Sequence, residues 1–190
     1  MNCRFLAPLG MTRARLLAPL GMTRARFLAT LGMTVLALAL GAQLSAQDIG
    51  LEVGGAAPAA RVETLDGKPV DLAQYVGKTA VLMEFWATWC SNCKELEPSM
   101  KALHRKYGDR VAFLGIGVSI NQSTDRIKAY VEKHEIPWTQ LYDRKGEASG
   151  AYDAPATSYI VVLNKAGKVV YTGLGGKQDL ESAIRKALGA

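Results

Sequence analysis

Two cysteines stand three residues apart in WATWCSNCKELEP, residues 86–98. Cys90 and Cys93 follow an apolar run and precede a stretch with a helical pattern. Residues three apart on a helix share a face, with Cβ atoms about 5–6 Å apart, so a small adjustment permits a disulfide. At a strand-to-helix junction Cys90 falls at the helix start, where unpaired N–H groups and the macrodipole favour an anion. A thiol so placed ionises more readily than a free one, and the thiolate is the attacking species in disulfide exchange. Cys93, one turn in, is expected to be more covered and to act second, resolving the mixed disulfide made by Cys90.

Other chemistries compete for the pair. Structural zinc takes four ligands, and neither His104 nor His134 completes a zinc spacing, so no metal or other cofactor is expected. Haem attachment wants a histidine directly after the second cysteine, where Lys94 stands. A permanently closed structural disulfide stays open as an alternative. His104 and His134 lie in charge-rich helical surroundings and read as surface residues.

Glu84 is the second residue with a chemical case. Along 81–86, Val81, Met83 and Phe85 alternate with Leu82, Glu84 and Trp86. In a central strand, helices cover both faces, and Glu84 is then buried beside apolar neighbours. Desolvation raises its pKa and lets it exchange protons near neutrality. The expected role is proton acceptor for Cys93, directly or through a water. The alternative is an edge strand with a wetted acid. Trp86 reads as core. Trp89, beside Cys90, reads equally as a rim contact for substrate or as ordinary packing. Pro155, by its residues alone, reads as a turn before a strand.

The elements that must position these residues are legible in outline. Residues 61–72, RVETLDGKPVDL, carry an Asp66-Gly67 turn between two short β-like runs, a hairpin signal. TAVLMEFW (79–86) and VAFLGIGVSI (111–120) have the length and composition of buried strands. Residues 90–107 fit a helix that Pro98 should kink, and 123–134 fit a second helix with a Ser/Thr start. SYIVVLN (158–164) and KVVYTG (168–173) flank a turn, and 178–189 closes as an amphipathic helix ending at a glycine. The order is a hairpin, then β-α-β-α-β-β-α. It implies an α/β domain with parallel strands, helices on both faces and a mixed sheet.

The bulk numbers fit one domain. The chain has 190 residues, 49% hydrophobic and 21% charged, as globular domains do. Its formal net charge of +6 sits in the leader: residues 1–46 hold five arginines and no acid, which leaves 18 basic against 17 acidic residues beyond. No basic stripe with interleaved aromatics points to nucleic acid. RFLAPLGMTRA, RLLAPLGMTRA and RFLATLGMT repeat with a period of 11 over residues 4–34, with Pro or Gly in each copy, and read as a duplication around a translation start. Residues 27–46 follow Arg26 without charge and exit through small residues. That pattern fits a secretory signal cleaved after Ala46, with an uncleaved membrane anchor as the alternative. The expected layout is a leader over 1–46, a linker over 47–58 and a domain over 59–190. The domain then lies outside the cytoplasm, in the periplasm or its equivalent, where a disulfide is permitted.

Residues 55–93, ending in WATWCSNC, together with Pro98 and the segment APATSYIVVLNKAGKVVYTGLGG (154–176), resemble the thioredoxin superfamily. The branch they resemble is the exported TlpA-like and ResA-like one, over roughly 54–188. The resemblance implies a thioredoxin fold, with a central mixed sheet flanked by helices and an N-terminal β-hairpin extension. By it Pro155 becomes a cis-proline, and Ala154 offers backbone hydrogen bonds to an extended client near Cys90. It implies an exported thiol–disulfide oxidoreductase, a reductase fed by a membrane dithiol donor and acting on protein disulfides. In this branch such reductases often serve cytochrome c maturation, and a monomer is expected. Two departures bear on this. Ser91-Asn92 between the cysteines, a dipeptide that tunes potential in the family, lacks proline. Leu96 stands where ResA-like members carry a glutamate, with Glu95 and Glu97 beside it. The alternatives are a disulfide-donating oxidase and a binding module without turnover.

Overall fold

The computed structural model describes residues 50–189; the expected leader and the start of the linker lie outside them. Asp66 and Gly67 make a tight turn, with Gly67 at φ +80°, and join β1 (Arg61–Thr64) to β2 (Pro69–Asp71). A short 3-10 turn (Leu72–Tyr75) follows, started by the Asp71 carboxylate, which accepts the Ala73 N–H. Then come β3 (Ala80–Trp86), α1 (Ser91–Tyr107), β4 (Val111–Val118), α2 (Thr124–Lys133), β5 (Thr139–Asp143), α3 (Glu147–Ala151), β6 (Tyr159–Leu163), β7 (Val169–Leu174) and α4 (Leu180–Leu188). The expected elements are all present.

The strands form one sheet in the order β2-β1-β5-β4-β3-β6-β7. β3, β4 and β5 run parallel; the remaining pairings are antiparallel. β5 and α3 are additions to the sequence reading. TQLYD is too short and too polar to declare itself, and becomes a strand because β4 and β1 pair with its two edges. α3 has five residues, too few for a helical period.

β3 sits between β4 and β6, and all seven of its residues are buried. On one face Val81, Met83 and Phe85 pack with Ile116, Tyr152 and Tyr159. On the other, Leu82, Ile160 and Val162 meet Leu96 and Met100 of α1 and Ile184 of α4. Each large apolar side chain fully buried this way contributes about 1.5–3 kcal/mol over leaving it in water. From residue 50 the chain already lies against the sheet: Leu51 N–H donates to Tyr159 Oη at 2.8 Å, and Ala57 N–H to Gly167 O at 2.8 Å. Among the described residues no helix is long and apolar enough to cross a membrane.

Candidate active site

The strand-to-helix junction places Cys90 one residue before α1, as its N-cap, in extended backbone at φ −74° and ψ 117°. Its Sγ accepts the Cys93 N–H at 3.0 Å, the bond that a serine or aspartate oxygen makes at an ordinary helix start. The sulfur therefore faces the positive end of a 17-residue helix. Cys90 and Cys93 are joined as a disulfide with Cα atoms 5.3 Å apart, so this is the oxidised form. The two are about equally covered, at 5% and 6% exposure, rather than Cys93 being the more hidden. The bridge holds both sulfurs among Trp86, Ala87, Val118, Ile127 and Tyr142.

The turn that delivers Cys90 is pinned from β4's far end. Gln122, buried, accepts the Thr88 N–H through Oε1 at 2.9 Å and donates through Nε2 to Val118 O at 2.6 Å. Tyr142 Oη donates to Gln122 O at 3.1 Å. Trp89 Nε1–H donates to Ile120 O at 2.9 Å, yet the residue is 46% exposed. Trp89 is thus a rim residue, fixed at its indole nitrogen and open to solvent on its ring. Sequence reasoning missed Gln122, because a lone amide in a loop carries no pattern.

Glu84 is buried on the α1 side of β3. Burial first, and then the Glu97 charge, push its carboxyl up to about 8. In register it pairs with Gly115 of β4, and Gly115 pairs with Gln140 of β5. These three form one cross-strand row whose middle member has no side chain, and a Cβ on Gly115 would run into the Gln140 amide. Beside this row lies a cavity of about 10 Å³, room for about one water, which Glu84 and Cys93 both line. Trp86, Glu97, Tyr130 and Gln140 complete much of its wall.

Glu97 and His134 join this neighbourhood unannounced. Tyr130 Oη donates to Glu97 Oε2 at 2.9 Å, and Lys101 Nζ lies 3.0 Å from Oε1. His134 Nδ1 is 3.1 Å from Glu97 Oε1, and its ring stacks on Tyr130 with centroids 3.9 Å apart. A carboxylate only accepts, so Nδ1 carries the hydrogen. Burial raises the Glu97 carboxyl, but its hydrogen bonds from Lys101, Tyr130 and His134 outweigh that and hold it below the usual range. His134 is therefore half-buried and bonded, not a free surface residue. His104 is half-buried too, edge-on to Phe113 with centroids 5.2 Å apart.

Ala154 and Pro155 line a groove of about 180 Å³ with Val118, Ile120, Ala156 and Thr157. Val118 also packs at the cysteines, and Ile120 holds Trp89, so the groove adjoins the disulfide. Two expectations change here. No peptide bond among the described residues is cis, so the Ala154–Pro155 bond is trans. The chain reverses instead through left-handed residues on either side, Asp153 at φ +46° and Ser158 at φ +68°, and the lower-energy proline isomer suffices. The Ala154 N–H is already given to Ser149 O at 2.9 Å, so only its carbonyl can serve a client strand. Among the described residues no cluster of three or more His, Cys, Asp or Glu could hold a metal.

Known proteins resemble this chain in sequence and in fold. The chain is 27% identical over 143 residues to the thioredoxin-like protein YneN of Bacillus subtilis, across 74% of this chain and 83% of that one. It is 28% identical over 138 residues to the thiol-disulfide oxidoreductase ResA of Bacillus thuringiensis subsp. konkukian, across 72% and 79%. Its fold is similar to the crystal structure of a thiol:disulfide interchange protein of the thioredoxin family from Chlorobium tepidum TLS. That match has a TM-score of 0.61 and 26% identity, and covers 73% of this chain and 99% of the other. The architecture is the thioredoxin fold, and with residues 52–188 matched by the family model, the chain belongs to the Redoxin family.

Proposed function

We propose that this thiol–disulfide oxidoreductase reduces the disulfides of exported proteins. The observation that carries the reading is the placement of Cys90 Sγ at a helix N-terminus, accepting an N–H, with Cys93 and Glu84 on one cavity behind it. Similarity to a thiol-disulfide oxidoreductase supports the reaction class. The uncharged run at 27–46, behind a basic flank, supports export.

In the reduced protein the Cys90 thiolate attacks one sulfur of a client disulfide. The second client sulfur leaves with the bonding electron pair. Cys93 then gives its S–H proton to the Glu84 carboxylate while its sulfur bonds to Cys90 Sγ, and the client's first sulfur departs as thiolate. The client gains two electrons, and the protein is left with a disulfide. With a pKa near 8, Glu84 is mostly protonated at neutral pH in this oxidised form, and can return the proton when Cys93 is reduced again. Electrons return from a dithiol donor at the membrane. Trp89, Pro155 and the Ala154 carbonyl form the docking edge for an extended client segment.

The reduction potential of the pair, read by equilibration with glutathione, tests the direction. A value near about −270 mV fits a reductase, and one near about −120 mV marks a disulfide donor and overturns the reading. Client binding that survives Cys90→Ser with Cys93→Ser, with no turnover by the parent protein, would mark a binding module instead.

A further inference from the structure

Three buried polar atoms without a hydrogen-bond partner belong to residues around one cavity: Glu84 Oε1, Trp86 Nε1 and Gln140 Oε1. Buried polar groups are nearly always satisfied, and the volume fits one water. A water placed there would accept from the Trp86 N–H and donate to Gln140 and Glu84. The row Glu84–Gly115–Gln140 thus leaves room for one water beside Cys93.

Glu97 lines this cavity from α1. Its own oxygens are held by Lys101, Tyr130 and His134, groups that favour its charged form. The other groups facing Glu84 are Cys93 of α1, whose proton is the one transferred, Tyr130 of α2, whose hydroxyl burial and the Glu97 carboxylate keep protonated, and the Gln140 amide of β5. The strands beside Glu84 present Gly115 and Ile160, and α4 presents Leu180, Ala183 and Ile184 to this side of the sheet. Like charges across so small a buried cavity oppose each other.

We propose that Glu97 is a positioning residue for the exchange, acting through Glu84: its carboxylate, facing Glu84 across the cavity, governs the pH at which Glu84 takes the proton of Cys93. This rests on the proton role given to Glu84 above. Lys101 and His134 set the strength of the effect by compensating part of the Glu97 charge. The bonds made and broken are those of the resolving step. The Cys93 proton passes to Glu84, through the water where one intervenes, and Glu97 neither gains nor loses a proton.

The test uses the full chain with glutathione preloaded on Cys90, and follows glutathione release by Cys93 from pH 5 to 9.5. The wild type should gain rate as Glu84 ionises. Glu97→Gln, which keeps an acceptor for Tyr130, should move that rise to lower pH by at least about 0.5 unit. Lys101→Met should move it to higher pH. In a Glu84→Gln background the rise should vanish, and Glu97→Gln should add nothing. If Glu84→Gln keeps the wild-type rise, the proton role of Glu84 falls and the proposal with it. If Glu84→Gln loses the rise but Glu97→Gln leaves it in place, the proposal alone falls. A shift by Glu97→Gln that persists in the Glu84→Gln background also overturns it, since Glu97 then acts on Cys93 directly.

Discussion

Glu84 on β3 and Gln140 on β5 stand in one cross-strand row with only the bare Gly115 between them. Glycine here is a matter of space rather than of backbone angle. Any side chain on β4 at this position would occupy the room beside the acid and strike the amide. Substituting Gly115 by alanine is therefore expected to displace Gln140 and destabilise the fold by about 1–3 kcal/mol. Urea unfolding at constant pH measures this, and an unchanged midpoint would show that the row tolerates a side chain.

Glu84 should also make stability depend on pH. Its carboxyl stands near 8 in the fold, against an ordinary 4.5. The raised value means the neutral acid is favoured in the folded state. The contribution is fully present below pH 4.5 and is lost as pH rises through 8. The total is of order a few kcal/mol. The oxidised wild type should lose unfolding free energy across this window relative to Glu84→Gln. Parallel curves for the two proteins from pH 4.5 to 8.5 would contradict it.

Gln122 holds the turn that delivers Cys90. Gln122→Ala leaves the Thr88 N–H without its acceptor, a loss of about 1–3 kcal/mol for a buried group. The thermal midpoint should fall, and in the reduced protein Cys90 should react with iodoacetamide at a different rate because its approach turn is no longer fixed. A wild-type midpoint would mean that another acceptor takes the N–H.

Trp89 presents its ring to solvent while its nitrogen is tied to Ile120. Trp89→Ala should change stability little, within roughly 0.5–1 kcal/mol, since one exposed hydrogen bond is lost. KM for a protein disulfide should rise several-fold, while exchange with a small-molecule disulfide stays near the wild-type rate. Equal losses on both substrates would assign Trp89 to the geometry of the cysteines rather than to client contact.

Much of the architecture was legible because its signals are local. The Asp66-Gly67 hairpin turn, the apolar run at β3, the Ser123 cap of α2 and the terminal Gly189 are written in neighbouring residues. Cys90 and Cys93 were legible for the same reason: their spacing and their place at a helix start are properties of a short segment. β5 and α3 were not, since pairing and packing create them. Among the site residues, Glu84 stood out as an acid in an apolar run. Glu97 looked like any charge on a charged helix, and Gln122 and Gln140 like any polar residue near a loop.

The sequence by itself determined the spaced cysteine pair, the acid within an apolar strand and the order of most of the strands and helices that carry them, because periodicity and capping act over a few residues. Only the tertiary structure decided that Glu84, Gly115 and Gln140 form a row, that Glu97 faces the acid from α1, and that Pro155 sits in a trans turn. Those facts depend on sheet register and helix docking, which bring together residues that are tens of positions apart. No local pattern encodes such distances, because they are fixed by packing.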